Sequence, residues 1–149
     1  MSRPRTPSQT VGPYYAIGLS RRPQNVLDPD GIELSGRLLD GRGEPIDDGM
    51  VELWDAEGRR FGRCGTDGEG RFRFRVPRDC AVLEALVFAR GLLRHQRTRV
   101  YLREPDGDDD LLAALSPAER ETLLARPEGD GLVFDIRMQG ERATVFFGH

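Results

Sequence analysis

The sequence predicts an all-β fold of the sandwich class, and three observations support this prediction. Short segments of alternating apolar and polar residues follow one another between clusters of turn residues. The chain has 149 residues, which is the size of one domain with its own core. Only one segment carries the signals of a helix. We therefore expect a single domain over residues 1–149, with residues 1–20 forming an extended N-terminal arm.

The strand predictions follow from alternation and from the turns that interrupt it. Residues 32–39 and 50–55 are the first two strands, separated by the turn cluster at residues 40–45. Residues 71–76 alternate strictly, so their two phenylalanines and one valine should face the core while three arginines face water. Further strands are predicted at residues 83–89 and 98–102, and residues 132–138 and 143–147 should pair as a terminal hairpin.

One helix is predicted near the last third of the chain, at residues 117–125. Ser116 is a suitable N-cap, Pro117 fits the first turn, and Glu119 completes a capping box. The acidic run at residues 106–110 lacks the spacing of a calcium loop and indicates a solvated loop. Trp54, inside the second strand, is expected to anchor the core.

Composition excludes several functional classes. The net charge is -3 and charges of both signs are interspersed, so no basic surface for nucleic acid is expected. No apolar run approaches the roughly 20 residues that span a bilayer, and no secretory signal pattern is present, which favours a cytoplasmic location. The two cysteines do not form a C-x-x-C pair, so neither a zinc site nor a disulfide framework is expected.

Several patches resemble one known family and occur in the order found there. Residues 6–19 read TPSQTVGPYYAIGL, residues 88–91 read FARG, and a patch near the end reads FDIRMQGE. Shorter matches lie at residues 51–56, 61–70, 95–101 and 144–147. Together they resemble the intradiol ring-cleaving dioxygenases, and within them the alpha subunits of the protocatechuate-cleaving branch.

The resemblance implies an intradiol-dioxygenase-like β-sandwich and a role in a hetero-oligomer. In that family an Fe(III) ion bound by two tyrosines and two histidines supports cleavage of an aromatic ring by O2. At three of those ligand positions this chain has Arg60, Val82 and Glu84, and the segment that would carry the fourth is absent between Val76 and Val82. The resemblance therefore implies no metal and no catalytic residue on this chain, with the iron bound by a partner beta subunit.

The resemblance also implies which residues form the wall of a shared substrate pocket: Thr10, Gly12, Pro13, Tyr14 and Arg90. Glycine and proline would let the backbone run close to the aromatic ring of the substrate. Tyr14 would pack or form a hydrogen bond at the rim. Arg90 would provide positive potential for the carboxylate of protocatechuate, whose cleavage product is 3-carboxy-cis,cis-muconate.

Alternatives remain open at this point. The chain could be a non-enzymatic β-sandwich binding or scaffold protein derived from the same family. Arg90 could be an ordinary surface arginine, since all 22 basic residues are arginines, and His95 is expected to be structural. Glu84 lies in an apolar segment and needs either an edge position or a salt bridge across a subunit interface.

Overall fold

The structure is a computed structural model that describes residues 5–7, 9–10, 12 and 14–148. This part of the chain contains nine strands and three short helices. The strands are β1 (Ile32–Leu39), β2 (Met50–Asp55), β3 (Arg60–Gly65), β4 (Arg71–Val76), β5 (Val82–Phe88), β6 (Gln96–Tyr101), β7 (Arg126–Glu128), β8 (Gly131–Val133) and β9 (Ile136–Arg137). The helices are α1 (Tyr14–Leu19), α2 (Asp110–Ala113) and α3 (Pro117–Glu121). The all-β prediction is confirmed.

Two sheets form the sandwich. One has the strand order β4-β1-β8-β7, with β9 also paired to β1, and the other has the order β3-β2-β5-β6. Strand β1 is antiparallel to β4 but parallel to β8 and β9. Side chains from both sheets meet in one core, which includes Leu34, Leu38, Leu53, Phe74, Leu83, Val87, Val100 and Ile136. Burial of this shared apolar surface stabilises the packing of the two sheets.

Strict alternation predicted the inward and outward faces of β4 correctly. Phe72, Phe74 and Val76 are buried, and the three arginines between them are exposed. Strands β1, β2 and β4 have the predicted bounds, whereas β5 and β6 begin one and two residues earlier than predicted. Strand β3 was missed, because the sequence RFGRCG does not alternate cleanly between apolar and polar residues.

The prediction that Trp54 anchors the core is wrong. Its neighbours Leu53 and Asp55 face inward, so the two-residue repeat of β2 turns Trp54 outward. The indole is 43% exposed and packs against Phe61 of β3, with the ring centroids 6.3 Å apart. It therefore belongs to the outer face of the second sheet.

The predicted helix at residues 117–125 ends earlier than expected. The capping box at Ser116 and Glu119 is present, but α3 stops at Glu121 with Thr122 as its C-cap. Beyond it the chain pairs with β6: the Tyr101 amide donates to the Leu123 carbonyl, and the Ala125 amide donates to the Tyr101 carbonyl. Tertiary pairing thus replaces the last helical turn. Helix α2, which was not predicted, begins within the acidic run, where the Asp109 carboxylate accepts backbone N–H groups as its N-cap.

The predicted terminal hairpin does not form. Residues 132–138 divide into β8 and β9, which both pair in parallel with β1. Residues 143–147 form no strand; the Thr144 amide donates to the Arg137 carbonyl and the Phe147 amide donates to the Arg97 carbonyl. The segment therefore bonds to two different parts of the sandwich.

The N-terminal arm is not wholly extended, because residues 14–19 form α1. No helix in the described part of the chain is long and apolar enough to cross a membrane.

Candidate functional site

Helix α1 is attached to the sandwich through Tyr15. The Tyr15 ring lies 5.8 Å from that of Phe88 at the end of β5, and its hydroxyl donates a hydrogen bond of 2.9 Å to the backbone carbonyl of Asp48. Burial and the negative charge of Asp48 raise the pKa of Tyr15 to about 12, against a smaller lowering by Arg90. Tyr15 is therefore a neutral phenol at pH 7, and its proton remains available for this hydrogen bond.

A cleft of about 440 Å³ lies beside this attachment. It is lined by Gly12, Tyr15, Phe88, Ala89, Leu92, Leu93, Arg94 and His95. The His95 ring packs at 5.4 Å from Phe88, so aromatic side chains form much of the wall. A volume of this order suits a small organic ligand, and the apolar lining with one arginine suits an aromatic anion.

Arg90 lies next to the cleft, on the loop that follows β5. Its Nε is 2.9 Å from Oδ2 of Asp48, and its side chain is 65% exposed. Asp48 is only 21% exposed. The carbonyl of Asp48 binds α1 and its carboxylate binds Arg90, so one residue joins the arm to the arginine.

The structure brings some of the predicted pocket residues together but not all of them. Gly12 lines the cleft, and its φ of +66° favours glycine. The Thr10 hydroxyl accepts a hydrogen bond from the Gly12 amide. Tyr14 is 70% exposed and does not line the cleft, and Pro13 lies outside the described residues.

Sequence reasoning missed the two residues that join these parts. Neither Tyr15 nor Asp48 was assigned a role at the site. The pattern of alternating residues gives no signal for Asp48, because its burial arises from contacts with distant segments. Tyr14 and Tyr15 both lie in the arm motif, and only a prediction of α1 would have favoured Tyr15 as the tyrosine that attaches the arm.

A second cluster surrounds Arg60, which stands where the resemblance predicts the first metal ligand. Its Nε and one terminal nitrogen both lie 2.7 Å from Oδ2 of Asp55, which is 2% exposed. Asp79 contacts the same terminal nitrogen at 2.8 Å, and Asp28 contacts the other terminal nitrogen at 3.4 Å. The guanidinium is thus in contact with three carboxylates.

Asp55 is charged in this cluster in spite of its burial. Desolvation acts to raise its pKa, but the Gly58 amide and the Arg60 guanidinium together outweigh it and hold the pKa below the usual 3.8. The pKa of Arg60 is correspondingly raised, chiefly by its hydrogen bond to Asp55. The two groups therefore form a stable ion pair at neutral pH.

Glu84 forms ion pairs within the chain, and the edge position considered for it is wrong. Strand β5 lies between β2 and β6, so Glu84 is not at an edge. Its carboxylate is 2.8 Å from Arg99 and 3.4 Å from Arg97, both on β6. No partner chain is required to neutralise its charge.

The residues at the family's ligand positions do not fit an iron ion. Val82 has no donor atom, Arg60 is a cation, and the Glu84 carboxylate is already paired. Across residues 5–7, 9–10, 12 and 14–148, no three His, Cys, Asp or Glu side chains are grouped so that they could hold a metal ion.

Solved structures with the same architecture are ring-cleaving dioxygenases. The dioxygenase domain of a carbohydrate-binding fusion protein from Streptomyces sp. SirexAA-E superposes with a TM-score of 0.55 at 21% identity, covering 91% of this chain and 98% of that domain. Hydroxyquinol 1,2-dioxygenase from Pseudomonas putida DLL-E4 gives 0.53 at 18% identity, covering 92% of this chain and 67% of that one. Catechol 1,2-dioxygenase from Pseudomonas arvilla C-1 gives 0.51 at 24% identity, covering 75% of this chain and 54% of that one. The fold is that of the intradiol dioxygenases.

Sequence relatives define the family more closely. The protocatechuate 3,4-dioxygenase alpha chain of Burkholderia cepacia is 33% identical over 190 aligned positions, which cover 96% of each chain. That of Pseudomonas putida is also 33% identical, over 193 positions, covering 97% of this chain and 96% of the relative. The chain belongs to the protocatechuate 3,4-dioxygenase alpha-chain family. No family model matches it. The alignments are longer than the 149 residues of the chain, so the relatives carry insertions.

Proposed function

We propose that this chain is the alpha, non-iron-binding subunit of a hetero-oligomeric protocatechuate 3,4-dioxygenase. A beta subunit of the same fold would carry the Fe(III) ion, and the complex would cleave protocatechuate with O2 to 3-carboxy-cis,cis-muconate, both oxygen atoms entering the product. Family membership supports the subunit type. The observation that carries the assignment of roles is that Tyr15 of α1 and Arg90 both contact Asp48, beside an apolar cleft that Tyr15 lines.

The chain's own contribution would be to bind and orient the substrate. The bound iron would supply the oxidative chemistry, and none of this chain's residues would be a catalytic residue. Gly12 and the aromatic wall would border the ring, since they line the cleft. Arg90 would attract the substrate carboxylate, because its exposed guanidinium retains donors that can bind a planar anion. Thr10, Pro13 and Tyr14 would complete the wall only when the partner is in place.

Arg90→Ala in the complex is expected to raise the KM for protocatechuate by about ten- to a hundredfold. This follows from about 1.5–3 kcal/mol for a hydrogen bond to a charged group, at 1.4 kcal/mol per factor of ten. The KM for uncharged catechol should change far less, because catechol lacks the carboxylate. Steady-state O2 uptake with both substrates measures the two values.

Two further arginines complete this test, one as a control and one as an alternative site for the carboxylate contact. Arg42→Ala removes an exposed arginine from a turn remote in sequence from the cleft, and should leave both KM values unchanged. Arg94 lines the cleft, so a selective effect of Arg94→Ala, with none for Arg90→Ala, would move the carboxylate contact to Arg94. Equal losses on both substrates with Arg90→Ala would contradict the carboxylate role.

The existence of the partner is tested by purification of the tagged chain from its native cells grown on protocatechuate. A second chain that co-purifies with iron, a red-brown ferric-tyrosinate absorption band and substrate-dependent O2 uptake would support the shared-site enzyme. A colourless, iron-free chain that purifies alone would instead support the scaffold alternative.

A further inference from the structure

Asp48 is the residue to which the arm and the arginine both attach, the arm at its backbone carbonyl and the arginine at its carboxylate. Its Oδ2 is buried and has no hydrogen-bond partner among the described residues, although the Arg90 Nε lies 2.9 Å away. A buried carboxylate oxygen is costly unless an opposite charge compensates it. The ion pair with Arg90 is the only one that the described residues provide for Asp48, so the guanidinium is held where the carboxylate needs it.

The geometry of this ion pair leaves the edge of the guanidinium that carries the two terminal nitrogens available to a second anion. The closest contact between the two groups is through Nε, at 2.9 Å, and the Arg90 side chain is 65% exposed. A guanidinium has five N–H donors in a rigid plane, and its two terminal nitrogens form the fork that binds a carboxylate in bidentate fashion. A side chain held at Nε can therefore present that fork to a second anion.

We propose that Asp48 is a positioning residue for substrate recognition: its carboxylate holds Arg90 by Nε so that the terminal nitrogens face the carboxylate of an aromatic acid bound at the shared site. This inference rests on the proposed function, because Arg90 must be the residue that binds the substrate. The Asp48 carbonyl binds α1 through the Tyr15 hydroxyl, so α1 and the Arg90 side chain keep a constant position relative to each other. An unheld arginine, 65% exposed, would distribute among many rotamers and lose part of its contribution.

The test is a double-mutant cycle in the alpha–beta complex with Asp48→Asn, Arg90→Ala and the double variant. Asp48→Asn keeps the shape of the side chain and removes the charge that holds Arg90. We expect the KM for protocatechuate to rise about fivefold, as for coupled neighbours in one network, while kcat and the KM for catechol stay within about twofold. In the Arg90→Ala background, Asp48→Asn should have no further effect on the KM for protocatechuate.

Asp47→Asn is the matched control. Asp47 is exposed and adjacent to Asp48, and its substitution removes the same formal charge. A change in general electrostatic attraction would appear in both variants, whereas the proposed effect belongs to Asp48 alone. Melting temperatures of the complexes show whether the folded state is retained, and Asp48→Ser provides a second neutral variant for the cycle.

The outcomes distinguish the positioning role of Asp48 from the proposed function of the chain. A selective effect of Arg90→Ala with none of Asp48→Asn overturns the positioning role and leaves the proposed function intact. A lower KM for protocatechuate in Asp48→Asn also overturns it, because Asp48 would then only neutralise Arg90. An Asp48→Asn effect that persists in the Arg90→Ala background assigns Asp48 a general structural role and overturns the proposal. No selectivity in Arg90→Ala contradicts the carboxylate role itself.

Discussion

Gly36→Ala should strongly destabilise the sandwich. Gly36 lies in the middle of β1, and a Cβ atom there would be 1.9 Å from the carbonyl oxygen of Phe134 and 2.6 Å from the ring of Phe72. The carbonyl oxygen belongs to the backbone between β8 and β9, and it cannot move aside as a flexible side chain could. We expect a loss of at least about 3 kcal/mol, the upper range for overpacked cores, out of a total of roughly 5–15 kcal/mol.

The backbone pairing around Gly36 explains why the site cannot adapt. The Phe134 amide donates to the Ser35 carbonyl at 2.8 Å, and β8 and β9 pair with β1 on either side of this point. Accommodation of a methyl group would separate these pairs. Urea unfolding followed by circular dichroism measures the loss. Gly68→Ala is the control, because a Cβ at Gly68 meets nothing within 4 Å. An unfolding midpoint equal to that of Gly68→Ala would contradict the prediction.

Local pattern was sufficient for the strands that carry the core and insufficient for the segments between them. In β4 each side chain faces either the core or the solvent, so the alternation of apolar and polar residues is sufficient to predict which side chains are buried. The chain after Thr122 has no such pattern. Its structure depends on Tyr101, whose backbone pairs with Leu123 and Ala125, and no sequence signal in the helix reveals that competition.

The candidate site likewise contains residues that the sequence indicates and residues that it does not. Resemblance to the family pointed to Gly12 and Arg90, and in the structure Gly12 lines the cleft while Arg90 lies on the loop that follows β5. It did not reveal Asp48, whose partners lie 33 residues before it and 42 residues after it in the chain. A buried charge that joins distant segments is visible only once the fold is known.

Asp55→Ala is the second change with a large expected effect. Breaking a buried ion pair by removal of one partner costs about 3–5 kcal/mol. We expect about 3 kcal/mol, the lower end, because Arg60 keeps Asp28 and Asp79 as partners and is partly exposed. Urea unfolding at pH 7 gives the value. Asp79→Asn is the control: the Asp79 side chain is 75% exposed, so its pairing with the same guanidinium should contribute little.

The pH dependence of the same pair distinguishes a charge effect from lost packing. The folded-state pKa of Asp55 lies below the usual 3.8, so its stabilisation is fully present above that value and is lost as the pH falls through the folded-state pKa. Asp55→Asn keeps the volume but cannot ionise. The difference in unfolding free energy between the unmodified chain and Asp55→Asn should therefore be constant at neutral pH and shrink below about pH 4. A difference that persists unchanged in acid would contradict a contribution from the charge of Asp55.

The Asp55–Arg60 pair also affects whether the chain could bind a metal at this position. Arg60→Tyr would restore one ligand type at one position, but it would leave Asp55 buried with its principal cation removed. The strand would lose stability before it gained a ligand, and Val82 and the paired Glu84 would still provide no histidine. Arg60→Tyr should therefore destabilise the chain and bind no iron when measured by metal analysis after incubation with ferrous salt in air. Iron bound in a one-to-one ratio, with a visible tyrosinate band, would contradict the conclusion that these positions do not fit the metal.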